Sequence, residues 1–240
     1  AAGLVAGGAI LLFPRLGWGA LALALCAAAV SQHAGGAALV IAFGLLLPVV
    51  LLPGRPTAWP LAAGAPALGL IGLAGAWPAL AGRAGTSWRR GALGALGWIW
   101  ILLAASMAGK ALYLPNIPGA PPPAIWMGSP SATVQQLASA LISSGALVPA
   151  VVWAAAAVVV PWLVTGRSPA LDVSRVVAWA GLLVSGTGVA LAAARGPNGI
   201  GAAPDALLGG AAAAGVALAP LAIMMWREAL RSDGSRARVP

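Results

Sequence analysis

The chain has 240 residues, 61% of them hydrophobic and only 7% charged, with a formal net charge of +9. A soluble domain carries about 25% charged residues, and a water-facing surface cannot be built from so few. Composition therefore excludes an ordinary soluble fold. The arginines fall between oily segments, so the excess charge is a topology signal and not a nucleic-acid footprint.

A helix that crosses the hydrocarbon needs about 20 apolar residues, within a range of roughly 17–25. Apolar runs at 1–13, 16–30, 37–53, 60–82, 91–109, 145–164, 176–195 and 207–226 predict an all-α, polytopic transmembrane bundle over 1–226. The count is eight spans, with seven as the alternative if residues 1–30 make one. Barrel strands would alternate apolar and polar residues, and these runs do not. The opening run, "AAGLVAGGAILLF", lacks a basic n-region and does not read as a signal peptide; it reads as part of a longer protein. Pro14, Arg15 and Gly17 separate the first two runs, and the turn "SQHAGG" after the second holds His33. Cys26, the single cysteine, excludes an internal disulfide.

Arg and Lys in short loops set orientation. With eight spans, Arg15, Arg55, Lys110 and Arg195 fall on one side. Arg83, Arg89, Arg90, Arg167, Arg175, Arg227, Arg231, Arg236 and Arg238 fall on the other. Nine against four makes the second side cytoplasmic, with Arg83, Arg89, Arg90, Arg227 and Arg231 as the chief determinants. Residues 227–240 become a basic cytoplasmic tail, and both termini lie in the cytoplasm of a cell-membrane protein.

The stretch 111–144, "ALYLPNIPGAPPPAIWMGSPSATVQQLASALISS", falls outside on this count. Pro115, Pro118, Pro121, Pro122 and Pro123 favour an extended strap. Ser129 followed by Pro130 reads as an N-cap and a first-turn proline. Val134, Leu137, Ala138, Leu141 and Ile142 then recur at helical spacing, with Gln135, Gln136, Ser139 and Ser143 on the other face. The pattern predicts an interfacial helix over 130–143, facing lipid or the bundle, with Trp126 as an anchor ahead of it. A connector this long is uncommon without a role. Trp126, Gln135, Gln136 and Ser139 are therefore the candidate sensor or lid residues, against the plainer reading of a tether.

Little chemistry is on offer. The acids are Asp172, Asp205, Glu228 and Asp233, none deep in a predicted span, which argues against proton coupling. One histidine cannot build a metalloprotease centre. Ser87, His33 and Asp172 share a predicted side, but no serine sits in a GxSxG motif. No catalytic residue, cofactor site or metal site is expected. In "GLLVSGTGVALAAA", Gly181, Ser185 and Gly188 read as a helix-packing stripe, and "GALGALGW" at 91–98 reads the same way. Trp18, Trp59, Trp77, Trp88, Trp126, Trp162 and Trp226 lie near predicted span ends and suit an aromatic belt; Trp98, Trp100, Trp153 and Trp179 read as packing.

The succession "AWPALAGRAG", "RRGALGALGWIWILLA", "GAPPPAIWMGSPS", "AVVVPWLVTGRSPALDV" resembles the multi-pass C-terminal membrane region of some bacterial Ser/Thr protein kinases, over roughly residues 70–180. No VAIK-type lysine, HRD or DFG is present, so no catalytic residue carries over. The resemblance implies a membrane anchor or sensor of a larger signalling protein. The expected partners are the bilayer, a fused N-terminal cytoplasmic domain and another copy through helix contacts; nucleic acid is not among them. The alternative is a stand-alone carrier of small solutes or lipid without an ionisable intramembrane site.

Overall fold

A computed structural model describes residues 14–54, 58–59, 63–109, 112–113, 123–143, 145, 147–195 and 204–236. Within them the fold is all-helical. Helix α1 (Pro14–Ser31) and α2 (Gly35–Leu51) form an antiparallel hairpin. Its turn closes at His33, which has φ 58. The His33 N–H donates to the Val30 carbonyl at 2.9 Å and the Ala34 N–H to Ala29 at 2.9 Å, the paired bonds of a Schellman cap. Along the hairpin the Trp18 indole N–H donates to the Leu45 carbonyl at 2.8 Å.

The apolar run at 60–82 is not one span. It is broken into α3 (Ala65–Leu70), a 3-10 turn (Ala74–Ala76) and α4 (Trp77–Ala81). The reason is written in glycine and proline. Pro66 and Pro78 start helices rather than continue them, and Gly72 takes φ 73, which reverses the chain. A Cβ at Gly69 would press on Leu112. Gly75 lies backbone to backbone on Gly209, which itself touches Tyr113. Residues Ala74 through Ala79 are all buried. Protein covers this irregular backbone, which is the condition under which such backbone is tolerated at membrane depth.

Helix α5 (Ser87–Ala108) is the continuous axis of the bundle. Its 22 residues make a rod about 33 Å long at 1.5 Å per residue, ended by Gly109 at φ 60. Two glycines of "GALGALGW" make close packing possible, as that stretch suggested. Gly94 lets the Trp153 carbonyl of α7 (Val148–Val159) come against the helix, and Gly97 lies under the Trp77 ring. Trp98 and Trp153 meet edge to face at 5.3 Å, with Tyr113 on Trp153 at 5.7 Å. Between α5 and α7 lies α6 (Pro130–Ser143), preceded by a 3-10 turn at Pro123–Met127. Helix α7 ends in another 3-10 turn, Val160–Trp162, where Pro161 stops it. Helices α8 (Pro169–Arg195) and α9 (Pro204–Arg236) complete the chain.

Three helical stretches are long and apolar enough to cross a membrane: Ser87–Ala108, Pro169–Ala193 and Leu207–Arg227. A fourth is counted if α6 and α7, bent by 79°, are taken as one broken span. Three or four spans is fewer than the eight, or seven, that apolar runs suggest. The first run, 1–13, lies outside the described residues. Helices α1 and α2 are shorter, about 26 Å against a hydrocarbon core of about 30 Å. The run at 60–82 breaks as described, and α7 alone has 12 residues. Counting apolar residues measures burial, and here much of the burial is inside protein.

The helices share a common polarity of ends. Gly44 of α2 meets Trp100 and Val40 clusters with Leu103, so α2 and α5 are antiparallel. Gly91 faces Ala154 and Val158 while Gly94 faces Trp153, so α5 and α7 are antiparallel too. The Trp179 indole N–H donates to Ala156 at 3.1 Å and Trp153 to the Thr187 hydroxyl at 3.2 Å, which sets α8 against α7. Gly210 packs on Val184, and Gly166 on Met224. One end of the bundle thus carries Arg83, Arg89, Arg90, Arg167, Arg175 and Arg227, together with Arg15 at the start of α1, which the span count puts on the opposite side; Arg231 belongs to the same helix as Arg227, α9. The other end carries α6 and the turn at His33.

Candidate functional site: the docked cap

The cap begins where sequence placed it. Ser129 Oγ accepts from the Ala132 N–H at 3.3 Å, capping α6, and Pro130 is the first helical residue. Of the prolines expected to form an extended strap, Pro115, Pro118, Pro121 and Pro122 lie outside the described residues, and Pro123 opens the 3-10 turn instead of extending the chain. Thr133 is buried, at 1% exposure. Its hydroxyl lies 3.0 Å from both the Ile125 and Ser129 carbonyls, to which it donates, tying α6 to the turn before it.

The cap is seated on the α1–α2 hairpin. The Gly36 N–H donates to the Gly128 carbonyl at 3.1 Å. A Cβ on Gly36 would overlap the Thr133 hydroxyl, so the close approach requires glycine here. Trp126 lies in a separate apolar cluster with Ala34, Ala37, Val40, Leu103, Ile125 and Leu137. The inward face of α6 is Thr133 and Leu137, with Leu141 half-buried. Val134 and Ile142 point outward, away from the bundle.

The candidate sensor residues are thereby divided. Gln135, Gln136 and Ser139 are exposed on the outer face of α6. Trp126 is 4% exposed, and its Nε1 finds no acceptor among the described residues. This is a core residue and not an interfacial anchor. Trp18, Trp59 and Trp77 depart from the belt in the same way. They are buried, and their indoles donate to the carbonyls of Leu45, Leu52 and Leu93 at 2.8, 2.8 and 2.7 Å. Trp100 does likewise to Ala63 at 2.8 Å. Trp88, Trp162 and Trp226 are exposed at the arginine end, as a belt requires.

Two further expectations change. The His33 turn was expected opposite the 111–131 loop, but it touches the cap at Gly128. The physical reason is the reversal at Gly72, by which the run at 60–82 does not carry the chain from one end of the bundle to the other. The stripe Gly181, Ser185 and Gly188 faces outward, and a Cβ added at either glycine would stand in open space. Helix α8 packs instead through Gly186 and the buried Leu183 and Thr187.

Polar chemistry concentrates at the arginine end. Asp172, in the first turn of α8, has a side chain with no exposed area. It accepts from the Gly166 N–H at 2.7 Å, the Thr165 N–H at 3.1 Å and the Thr165 hydroxyl at 3.0 Å, with Arg175 at 3.5 Å. The carboxylate fastens the loop after α7 to α8, a role its sequence position near "TGRSP" could have suggested. Ser87 and His33 sit at opposite ends of the bundle, which dissolves the Ser–His–Asp grouping. Among the described residues no three of His, Cys, Asp and Glu come together as metal ligands. No family model matches the chain, and neither a curated protein nor a solved structure matches it.

Proposed function

We propose that the chain is a membrane-embedded anchor and sensor module, in which the α6 cap is the responsive element and the arginine end faces the cytoplasm. The observation that carries this reading is the seating of the cap. A helix set at 79° to α7 rests on a glycine-to-threonine contact with a polar face left free. Its outer residues Gln135, Gln136 and Ser139 are available to a ligand or partner. The arginine excess at the other end supports a cytoplasmic location for that end. A fused cytoplasmic Ser/Thr kinase domain as the output rests on the sequence resemblance.

Amide exchange in nanodiscs tests the reading. Residues 131–143 should exchange slowly while the cap is docked and faster in Gly36→Ala, with α5 unchanged. Equally fast exchange in both proteins would make the segment a tether. The interrupted segment 65–81 favours a second reading, a small-solute or lipid carrier, since broken helices line the substrate paths of many carriers. Uptake by proteoliposomes that is lost on straightening the segment with Gly72→Ala would favour the carrier.

A further inference from the structure

The turn from Arg83 to Arg90 concentrates positive charge where a helix already carries its own. Helix α5 begins at Ser87, and its N-cap Thr86 makes no side-chain cap bond; its first turn contains no acid. The N-terminus of a helix favours anions and disfavours cations. Here three guanidiniums crowd it. Arg90 donates through Nε to the Ala84 carbonyl at 2.8 Å and through a terminal nitrogen to Gly85 at 3.3 Å. Arg83 donates to the Val216 carbonyl of α9 at 2.7 Å. Among the described residues the partners of both are neutral carbonyls. Arg89 lies over the Trp88 ring at 5.3 Å, and its Nε is buried with no partner among the described residues.

Among the described side chains no carboxylate answers this charge. Among the described side chains Asp172 is the sole acid, and its oxygens are taken by Thr165, Gly166 and Arg175. Trp88 beside the cluster is 59% exposed, with an amphipathic ring suited to headgroup depth. We infer that the 83–90 turn is a binding site for the phosphate of an anionic phospholipid headgroup in the adjoining leaflet. The phosphate faces Arg89 and the N–H groups of the first turn of α5, which no side chain caps, and the acyl chains run down the apolar flank of the helix. The inference rests on the membrane reading and is independent of the docked cap.

The purified full chain in neutral detergent, studied by native mass spectrometry, tests it. Phosphatidylglycerol and phosphatidylcholine are added at equal concentration, with inorganic phosphate as a third arm. Phosphatidylglycerol adducts should survive activation that strips phosphatidylcholine. The double variant R89Q/R90Q should weaken them by roughly fivefold for each guanidinium removed, while Arg15→Gln leaves them unchanged. Equal retention of the two lipids, or a variant that binds phosphatidylglycerol as well as the parent, overturns the site. Full displacement by millimolar phosphate overturns the lipid assignment in favour of a free-anion site. If the double variant fails to fold, the parent decides. Its unfolding midpoint in nanodiscs should be several degrees higher with phosphatidylglycerol than with phosphatidylcholine, and equal midpoints overturn the proposal. Failure of the membrane reading itself would be distinct: the chain would stay soluble without detergent and would not enter nanodiscs.

Discussion

His33 occupies the left-handed region, at φ 58, where a side chain costs roughly 1–2 kcal/mol. Glycine is the usual occupant of this capping position. His33→Gly should therefore stabilise the α1–α2 hairpin by about 0.5–1 kcal/mol, read as a higher unfolding midpoint in detergent. The indoles give a sharper contrast. Trp77 donates to Leu93 at 2.7 Å, whereas Trp126 donates to nothing among the described residues. Trp77→Phe removes the second bond to the Leu93 carbonyl, which keeps its helical N–H partner, and should cost about 0.5–1.5 kcal/mol. Trp126→Phe removes an unmet donor and should be neutral or mildly stabilising. Equal losses in the two variants would mean that ring packing, not hydrogen bonding, sets the energy. None of this division was legible in the sequence. Tryptophan near a span end reads as a belt residue, and only the carbonyl opposite tells whether it has been drawn inside.

At the scale of elements, α6 was legible because it carries its own local signals: the Ser129 cap, the Pro130 start and an apolar stripe at helical spacing. What sequence could not show is the partner surface, because the seat at Gly36 lies far away along the chain. Gly36→Ala should undock the cap and leave the other helices folded, which the exchange measurement above reads directly. The segment 65–81 was not legible, for the opposite reason. Its apolar run is continuous, and its breaks are carried by single glycines and prolines that a span count passes over. Asp172 makes another element-scale prediction. Asp172→Ala leaves two backbone N–H groups and a hydroxyl without acceptors and should lower the unfolding midpoint by several degrees, with α8 loosening first at its N-terminal turn in exchange. Asp172→Asn, which keeps an acceptor oxygen, should lose less.

For the whole molecule, composition gives the class of fold, and the all-helical bundle with apolar outer surfaces agrees with it. Leu23, Val50, Leu182 and Val189 are exposed at 74%, 67%, 71% and 68%. Such surfaces belong in lipid. The number of crossings was not legible, because hydropathy cannot tell a helix facing lipid from a segment buried among helices. The proposed orientation rests on where the arginines collect. In a Cys26→Ala background, a cysteine at Ser131 should react with an impermeant thiol reagent on intact cells, and one at Ser87 should react only after lysis. The reverse pattern would invert the molecule.

The two ends of the bundle differ in how they are joined. Helix α5 is unbroken from Ser87 to Ala108, with the arginine turn at its start and Leu103, beneath the cap, near its finish. Beside it, the interrupted segment offers joints at Gly72 and at the glycine crossing of Gly75 and Gly209. A stiff rod next to a jointed one acts as a lever beside a hinge. On the sensor reading proposed above, a push at the cap would tilt α5 as a unit while the jointed neighbour yields. Lengthening or softening the rod, as with a proline in the middle of α5, would uncouple the two surfaces even if each remained intact.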